Sequence, residues 1–405
     1  MRALFPRLGA DFSKLWTASA VSNIGDGITM AAGPLLVASI TTDPAAVAGA
    51  VFAQQLPWLL FALISGAWAD RLDRRRLVVT VNLIRAAALI TLVAAVSCDL
   101  VTVPLIYAVF FVLGTGETLA DTASSAFVPA LVPPDRLPTA NAWLGATFTV
   151  LHQFAAKPLG AWLFVVAAAA PFGANALSYA ASAALIAGIG TLPPPEPRPH
   201  RSLRTDIAEG VRWLWGHRLL RTLAVTMAFG NMIFCAAFAI FVLYAFERLG
   251  LGRVGYGLLL TAFALGGLAG SVAAPALLRT VSATVLLRGG LAVEVALHAT
   301  LAATRTVWVA AAMIVVFSIH ATVWGNAVMT LRQRSVPSAV YGRVSSVYAL
   351  LDLGGAAVGS LLGGAVAQAY GLTATFWTAA GGMGVVLVLA WRPLSSARAA
   401  FLQRV

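Results

Sequence analysis

The sequence predicts an all-α integral membrane protein whose twelve transmembrane helices form two six-helix bundles. Three observations predict it. The chain is 60% hydrophobic and only 10% charged, with a mean hydropathy of +0.87. It contains twelve apolar runs long enough to cross a bilayer, and a single polar segment divides them six and six. A soluble domain is usually about 25% charged. A chain this poor in charge cannot cover a water-facing surface, so lipid must be its main solvent.

The runs fall at 15–40, 45–69, 77–98, 101–124, 139–165, 170–191, 219–246, 254–278, 284–304, 306–330, 342–369 and 372–391. A spanning helix needs roughly 20 apolar residues, and each run supplies about that many. The first follows a short basic start with Arg2, Arg7 and Lys14, and it is too long for the apolar core of a signal peptide. It reads as the first spanning helix. The dividing segment begins LPPPEPRPH, and prolines at that density cannot build a spanning helix. From about Leu203 the spacing turns helical, with Ile207, Val211 and Leu214 on one face. Trp213 and Trp215 suit a helix lying at the interface. The expected domains are therefore 1–191 (first bundle), 192–217 (cytoplasmic linker with an amphipathic helix) and 218–405 (second bundle and a short cytoplasmic tail). Two halves of similar size suggest parallel repeats.

Charge gives the expected orientation. Of 27 Lys and Arg, 22 lie at the termini or in the connections that follow even-numbered runs. Three (Arg248, Arg253 and Arg305) lie on the other side, and Arg85 and Lys157 fall inside runs. That asymmetry predicts a multi-pass protein of the cell membrane with both termini in the cytoplasm. A net charge of +12 on a soluble chain would suggest nucleic acid. Here the basic residues sit between apolar runs, so the expected partner is the bilayer and no nucleic acid. Cys98 and Cys235 show neither metal spacing nor a disulfide framework and read as small buried hydrophobes. No phosphate-binding glycine loop, no HExxH and no nucleophile elbow occurs. The chain is expected to be no enzyme, to hold no metal and no cofactor, and to have no catalytic residues.

The densest charge lies in GAWADRLDRRR, residues 66–76. Gly66, Asp70, Arg71, Arg74 and Arg75 match the G-x-x-x-D-R-x-G-R-R loop between helices two and three of the major facilitator superfamily, with Asp73 where that family often has Gly. The chain resembles the enterobactin-exporter and macrolide-efflux branch. FVPALVPPDRLPTANAW (127–143) is similar to that branch's connection between helices four and five, EGVRWLWGHRLLR (209–221) to its central-loop helix, and RQRSVPSAVYGRVSSVYALL (332–351) to its entry to helix eleven. The sequence departs from the pattern in three places. The antiporter-type motif of helix five reads AAKPLGAW, which keeps Pro158 and Gly160 and introduces Lys157. Helix four lacks the familiar Arg, and the second copy of the loop is eroded to Arg279 and Arg288. The resemblance implies two bundles rocking about a midplane site, in a monomer. It also implies a cytoplasmic gate of Gly66, Asp70, Arg71, Arg74 and Arg75, with Asp121 on helix four as partner to Arg74 or Arg75.

Ionisable groups inside lipid are costly, so each is a functional candidate. Asp26 lies near the middle of helix one, flanked by Asn23, Gly25 and Gly27. It reads as a proton-coupling or substrate residue, or as a structural hydrogen-bond partner. Glu117 and Asp121 sit one turn apart on helix four. Glu117 either pairs with Arg85 or faces a cavity as a second protonatable group. On helix five, Lys157 has two readings, holding an anionic substrate group or pairing with Asp26, and His152 reads as a packing or cavity residue. His320 and Asn326 on helix ten and Asp352 on helix eleven complete the expected substrate cavity, together with Asn23. Glu294 and His298 on helix nine read as a structural pair. Gly355, Gly359 and Gly363, and likewise Gly266 and Gly270, repeat every four residues and would let helices approach closely. The expected function is proton-antiport export of an amphipathic small molecule such as an antibiotic or siderophore. The alternatives are proton-symport uptake of a nutrient and a non-transporting receptor or assembly protein. The expected partners are the small-molecule substrate, protons and the lipid bilayer.

Overall fold

Backbone polar groups in lipid must be satisfied within the chain, and a helix does this one segment at a time. The computed structural model describes residues 8–71, 73–125, 127–190 and 203–396, and the side chains at 62–71 lie outside that description. Among the described residues there is no strand, and each of the twelve apolar runs falls on helix. The first four are α1 (Ala10–Ile40), α2 (Pro44–Arg71), α3 (Arg74–Ser97) and α4 (Val103–Ser125). A short α5 (Phe127–Leu131) and a 3-10 turn (Pro134–Arg136) lead into the fifth run. That run is composite: α6 (Leu137–Thr147), a π-helical stretch (Phe148–Ala155) and α7 (Ala156–Val166). The sixth run is α8 (Ala170–Ala187), and the amphipathic helix of the linker is α9 (Leu203–Gly216). The seventh combines α10 (Arg218–Ala239), α11 (Phe241–Leu243) and a second π-helical stretch (Tyr244–Arg248). The last five are α12 (Arg253–Thr280), α13 (Ala283–Ala303), α14 (Val307–Ser335), α15 (Ser338–Tyr370) and α16 (Leu372–Trp391). Nine helices among the described residues are long and apolar enough to cross a membrane. The first run is not one of them, because Ser19, Ser22, Asn23 and Asp26 dilute its apolar character.

The chain divides into two compact units, Met1–Ile40 with Ala53–Arg198, and Thr41–Phe52 with Pro199–Val405. In the first, α1 packs on α8, α7 and the π-helical stretch, and α3 packs on α8 and α4. Two glycines on α1 let this happen. A Cβ on Gly25 would collide with the side chains of Asn175 and Ser178 on α8, and one on Gly27 would lie 2.6 Å from the His152 carbonyl oxygen. Side-chain-free positions on either side of residue 26 thus press α1 against two neighbours at once. In the second unit α10 packs on α15, α12 on α14, and α13 on α16. The four-residue glycine spacing has the expected consequence. Gly355, Gly359 and Gly363 rest on the backbone of Ala228, Met232 and Ala236, and Gly266 and Gly270 on that of Val315 and Ile319.

Cations close several helix ends, where carbonyls lack partners and the dipole favours positive charge. Lys14 and Arg75 donate to the carbonyls of Gly188 and Ile189 beyond α8. Arg248 donates to Ala302, Ala303 and Thr304 at the end of α13, and Arg288 to Trp391 at the end of α16. Lys14 also bonds Asp11 at 2.8 Å and holds that carboxyl below its ordinary range. Asp73, the departure from the loop pattern, caps α3 by accepting from the backbone N–H groups of Arg75 and Arg76. In α9, Leu214 is buried, Gly210 lies on the backbone of Arg343, and Glu209 pairs with Arg343 at 2.6 Å. The apolar stripe of α9 therefore faces α15.

Close packing at Gly27 is directly testable. Gly27→Leu is expected to lower stability by about 1–3 kcal/mol through overpacking, read as a fall in melting temperature of the detergent-purified protein. Gly289→Ala, where an added Cβ meets nothing within 4 Å, is expected to keep it or raise it slightly, since Ala favours the helix interior over Gly.

Candidate functional site

Polar residues of the first unit recur at helical spacing on faces that turn toward one another. On α1 these are Ser19, Ser22, Asn23 and Asp26, at i, i+3, i+4 and i+7, which puts them on one face. On α3 they are Asn82 and Arg85, and on α8 Asn175, Tyr179 and Ser182. The α1 face, Asn82, Arg85 and Ser182, with Asp121 and Ser124 of α4, Asn141, Leu144 and Gly145 of α6, and Phe148, line a cavity of about 410 Å³.

Its centre is a buried ion pair. Asp26 Oδ1 accepts from Arg85 Nη2 at 2.9 Å, and the side chains are 15% and 3% exposed. The same oxygen accepts a second hydrogen bond from the Tyr179 hydroxyl. The Arg85 guanidinium lies over the Tyr179 ring, 3.9 Å from its centroid. The aliphatic stem of Arg85 occupies the space left by Gly116, where a Cβ would lie 2.5 Å from Arg85 Cδ. Withdrawing two charges from water is expensive, and their attraction offsets the cost only when further bonds assist. Here the hydroxyl and the aromatic face provide that assistance. Around the pair, Asn175 Nδ2 donates to Thr29 Oγ1 at 2.7 Å and Ser178 donates to Asn175 Oδ1 at 2.9 Å. Asn82 Nδ2 donates to Ser182 Oγ at 3.2 Å. Trp16 Nε1 reaches Thr147 Oγ1 at 2.7 Å and ties the end of α6 to α1.

Asp26, Asn23 and Asp121 are thus brought to one cavity. Of the two partners considered for Arg85 and Asp26, neither is used: Arg85 pairs with Asp26 in place of Glu117, and Asp26 with Arg85 in place of Lys157. Glu117 stays within electrostatic reach of Arg85. Arg75 reaches the Ile189 carbonyl at 2.7 Å, and Asp121 lies on the cavity wall. The side chains of Gly66, Asp70 and Arg71 lie outside the described residues. On the fifth run, His152 stacks on Phe148 with centroids 4.8 Å apart, and its Nδ1 is buried without a partner. His152 and Lys157 are not among the lining residues. In the second unit, His320 packs where Gly290 leaves room, Asn326 donates to the Thr322 carbonyl at 3.0 Å, and the Asp352 carbonyl accepts from Asn231 at 3.0 Å. His298 bonds the backbone carbonyl of Glu294 at 2.8 Å. Tyr179, Asn82, Ser182 and Asn141 escape a reading based on charge. The signal that would find them is the 3.6-residue recurrence of small polar groups within apolar runs.

Residues 3–399 match the model of the transmembrane secretion effector family, MFS_3. The chain belongs to this family. Members of the superfamily are transporters rather than enzymes. Uncharacterized MFS-type transporters of Mycobacterium bovis and Mycobacterium tuberculosis are 32% identical over 157 residues, 36% of this chain. That matched segment spans 35% of the mycobacterial proteins, about a third of their length. The fold is that of solved major facilitator transporters. A bacterial homologue of the iron transporter ferroportin superposes with a TM-score of 0.74 at 17% identity, covering 95% of this chain and 98% of that one. The nucleoside transporter NupG gives 0.72 at 12%, covering 96% and 99%. A bacterial homologue of the lysosomal transporter Spinster gives 0.69 at 15%, covering 98% and 96%.

In this MFS_3 member the ion pair should show strong coupling. Arg85→Met leaves Asp26 buried and unpaired and is expected to cost about 3–5 kcal/mol. Adding Asp26→Asn should recover most of that loss. Thermal melts of the two single variants and the double variant measure the coupling, and a double variant no more stable than Arg85→Met would refute it.

Proposed function

We propose that this protein is a secondary active transporter that exports an amphipathic small molecule by proton antiport with alternating access. The observation that carries the reading is the Asp26–Arg85–Tyr179 network on the wall of the 410 Å³ cavity. A proton on Asp26 removes the charge that holds Arg85. The guanidinium is then free to turn to Glu117 or Asp121, both within its electrostatic reach. Protonation and substrate binding would bias one conformational equilibrium in opposite senses, so each favours release of the other. Asp26 and Glu117 are the proposed proton-coupling groups. Asn23, His152, Lys157, His320, Asn326 and Asp352 are proposed to take part in the substrate path, and the 66–75 loop with Asp121 in a cytoplasmic gate. The protein is proposed to work as a monomer in the cell membrane, with both termini in the cytoplasm.

The test uses inverted membrane vesicles energised to an acid interior and a panel of amphipathic compounds. With the wild-type protein, an exported compound should release the proton gradient on addition. Asp26→Asn should reduce that release at least about tenfold, the scale on which loss of an essential proton carrier acts, at equal protein in the membrane. Gradient release unchanged in Asp26→Asn would sink the assignment. Proton-dependent accumulation by whole cells would point to uptake by symport, and no response to any compound to a non-transporting role.

A further inference from the structure

On the transport reading, the Asp26–Arg85 pair must open and close, and Arg85 needs a seat while it is open. A guanidinium withdrawn from water and left without a partner is costly. Tyr179 of α8 is placed to supply that seat. Its side chain is fully buried and touches both charges through different parts of itself. Among the described residues the hydroxyl donates to Asp26 Oδ1 alone. The ring lies beneath the Arg85 guanidinium, 3.9 Å from its centroid to Cζ.

The helix that carries Tyr179 is fixed independently of either charge. At i−4, Asn175 donates to Thr29 of α1, and at i+3, Ser182 accepts from Asn82 of α3. All four side chains are buried and neutral. They tie α8 to the two helices that bear Asp26 and Arg85, and a proton on Asp26 changes none of them. The other charged and titratable groups facing the pair are Glu117 and Asp121 of α4 and His152 and Lys157 of the fifth run. Protonation of Asp26 therefore acts unequally on the two contacts of Tyr179. The hydroxyl loses a charged acceptor, and bonds to charged acceptors are roughly twice as strong as bonds to neutral ones. The ring keeps the guanidinium, because attraction of a cation to an aromatic face needs no carboxylate.

We infer that Tyr179 is a positioning residue with two separable parts: a hydroxyl that holds Asp26 firmly only while it is a carboxylate, and a ring that seats Arg85 whether the pair is closed or open. Arg85 then passes from Asp26 towards Glu117 across one fixed aromatic face.

The experiment follows the melting temperature of the detergent-purified, full-length protein from about pH 8 to about pH 4, where carboxylates titrate. The proton is the only probe. Tyr179→Phe removes the hydroxyl and keeps the ring. A bond that favours the carboxylate adds stability at higher pH and loses it as pH falls. The variant should therefore melt below wild type at neutral pH, and the gap should shrink by about half on acidification. In an Asp26→Asn background the same change should give the smaller gap at every pH. Tyr179→Leu removes the ring as well. The further fall from Phe to Leu should be constant across pH. It should shrink when Arg85→Met and Asp26→Asn are both present, because the packing loss stays and the cation contact is gone. A Tyr179→Phe gap that is flat in pH or equal in Asp26→Asn would overturn the inference. So would a Phe-to-Leu fall that is indifferent to Arg85. The vesicle assay separates this inference from the transport reading. A pH-dependent Tyr179→Phe gap without proton release by any compound would overturn transport alone, and proton release with a flat gap would overturn the inference alone.

Discussion

The pairing of Asp26 with Arg85 organises the first unit. A carboxylate and a guanidinium withdrawn from water tolerate little freedom, because losing either partner strands the other. Their meeting needs α1 to lie close to α8 and to the fifth run, which Gly25 and Gly27 allow. It also needs room for the Arg85 stem, which Gly116 provides on α4. Three glycines on two helices thus serve one ion pair. Tyr179 adds a hydroxyl to the carboxylate and a ring face to the guanidinium, so α8 takes part through both charges.

The second unit is built differently. Its close contacts come from glycine stripes on α12 and α15 against neighbouring backbones. Its centre is aromatic: Phe234, Phe238, Phe241, Phe263 and Phe317 stack or meet edge to face within 6.4 Å. Its polar groups are mostly absorbed by backbone carbonyls, as with His298 on Glu294 and Asn326 on Thr322. Where the first unit uses matched charges to fix helix positions, the second uses shape.

The helices were legible in the sequence because a bilayer imposes length and hydropathy on every span. Asp26 was legible for the same reason, since a lone carboxylate within an apolar run must have a use. Its partner was harder to read. Arg85 could reach several acids, and only the rotation of α3 against α1 decides among them. That rotation depends on Gly25, Gly27 and Gly116, whose effect appears only once the facing helix is known. Asn82, Asn141, Tyr179 and Ser182 carry no charge, so a hydropathy average dissolves them, although their spacing on each helix was there to see. The π-helical stretches left no mark in the apolar pattern at all.

The stretch Phe148–Ala155 has a consequence for how this helix can change over evolution. A π-helical turn holds one residue more than an α-helical turn. Upstream, Asn141, Leu144, Gly145 and Phe148 face the cavity, and downstream Gly160 is wedged on the Ile28 carbonyl. The wider turns take up that extra residue locally, so the two faces keep the phase they would have across a plain α-helix one residue shorter. Losing a single residue there would return the stretch to α-helix and leave both faces in place, whereas losing one from α6 or α7 would twist one end against the other by about 100°, the angle of one α-helical step. The fifth run therefore tolerates a change of length in this stretch and not in the α-helical parts that flank it.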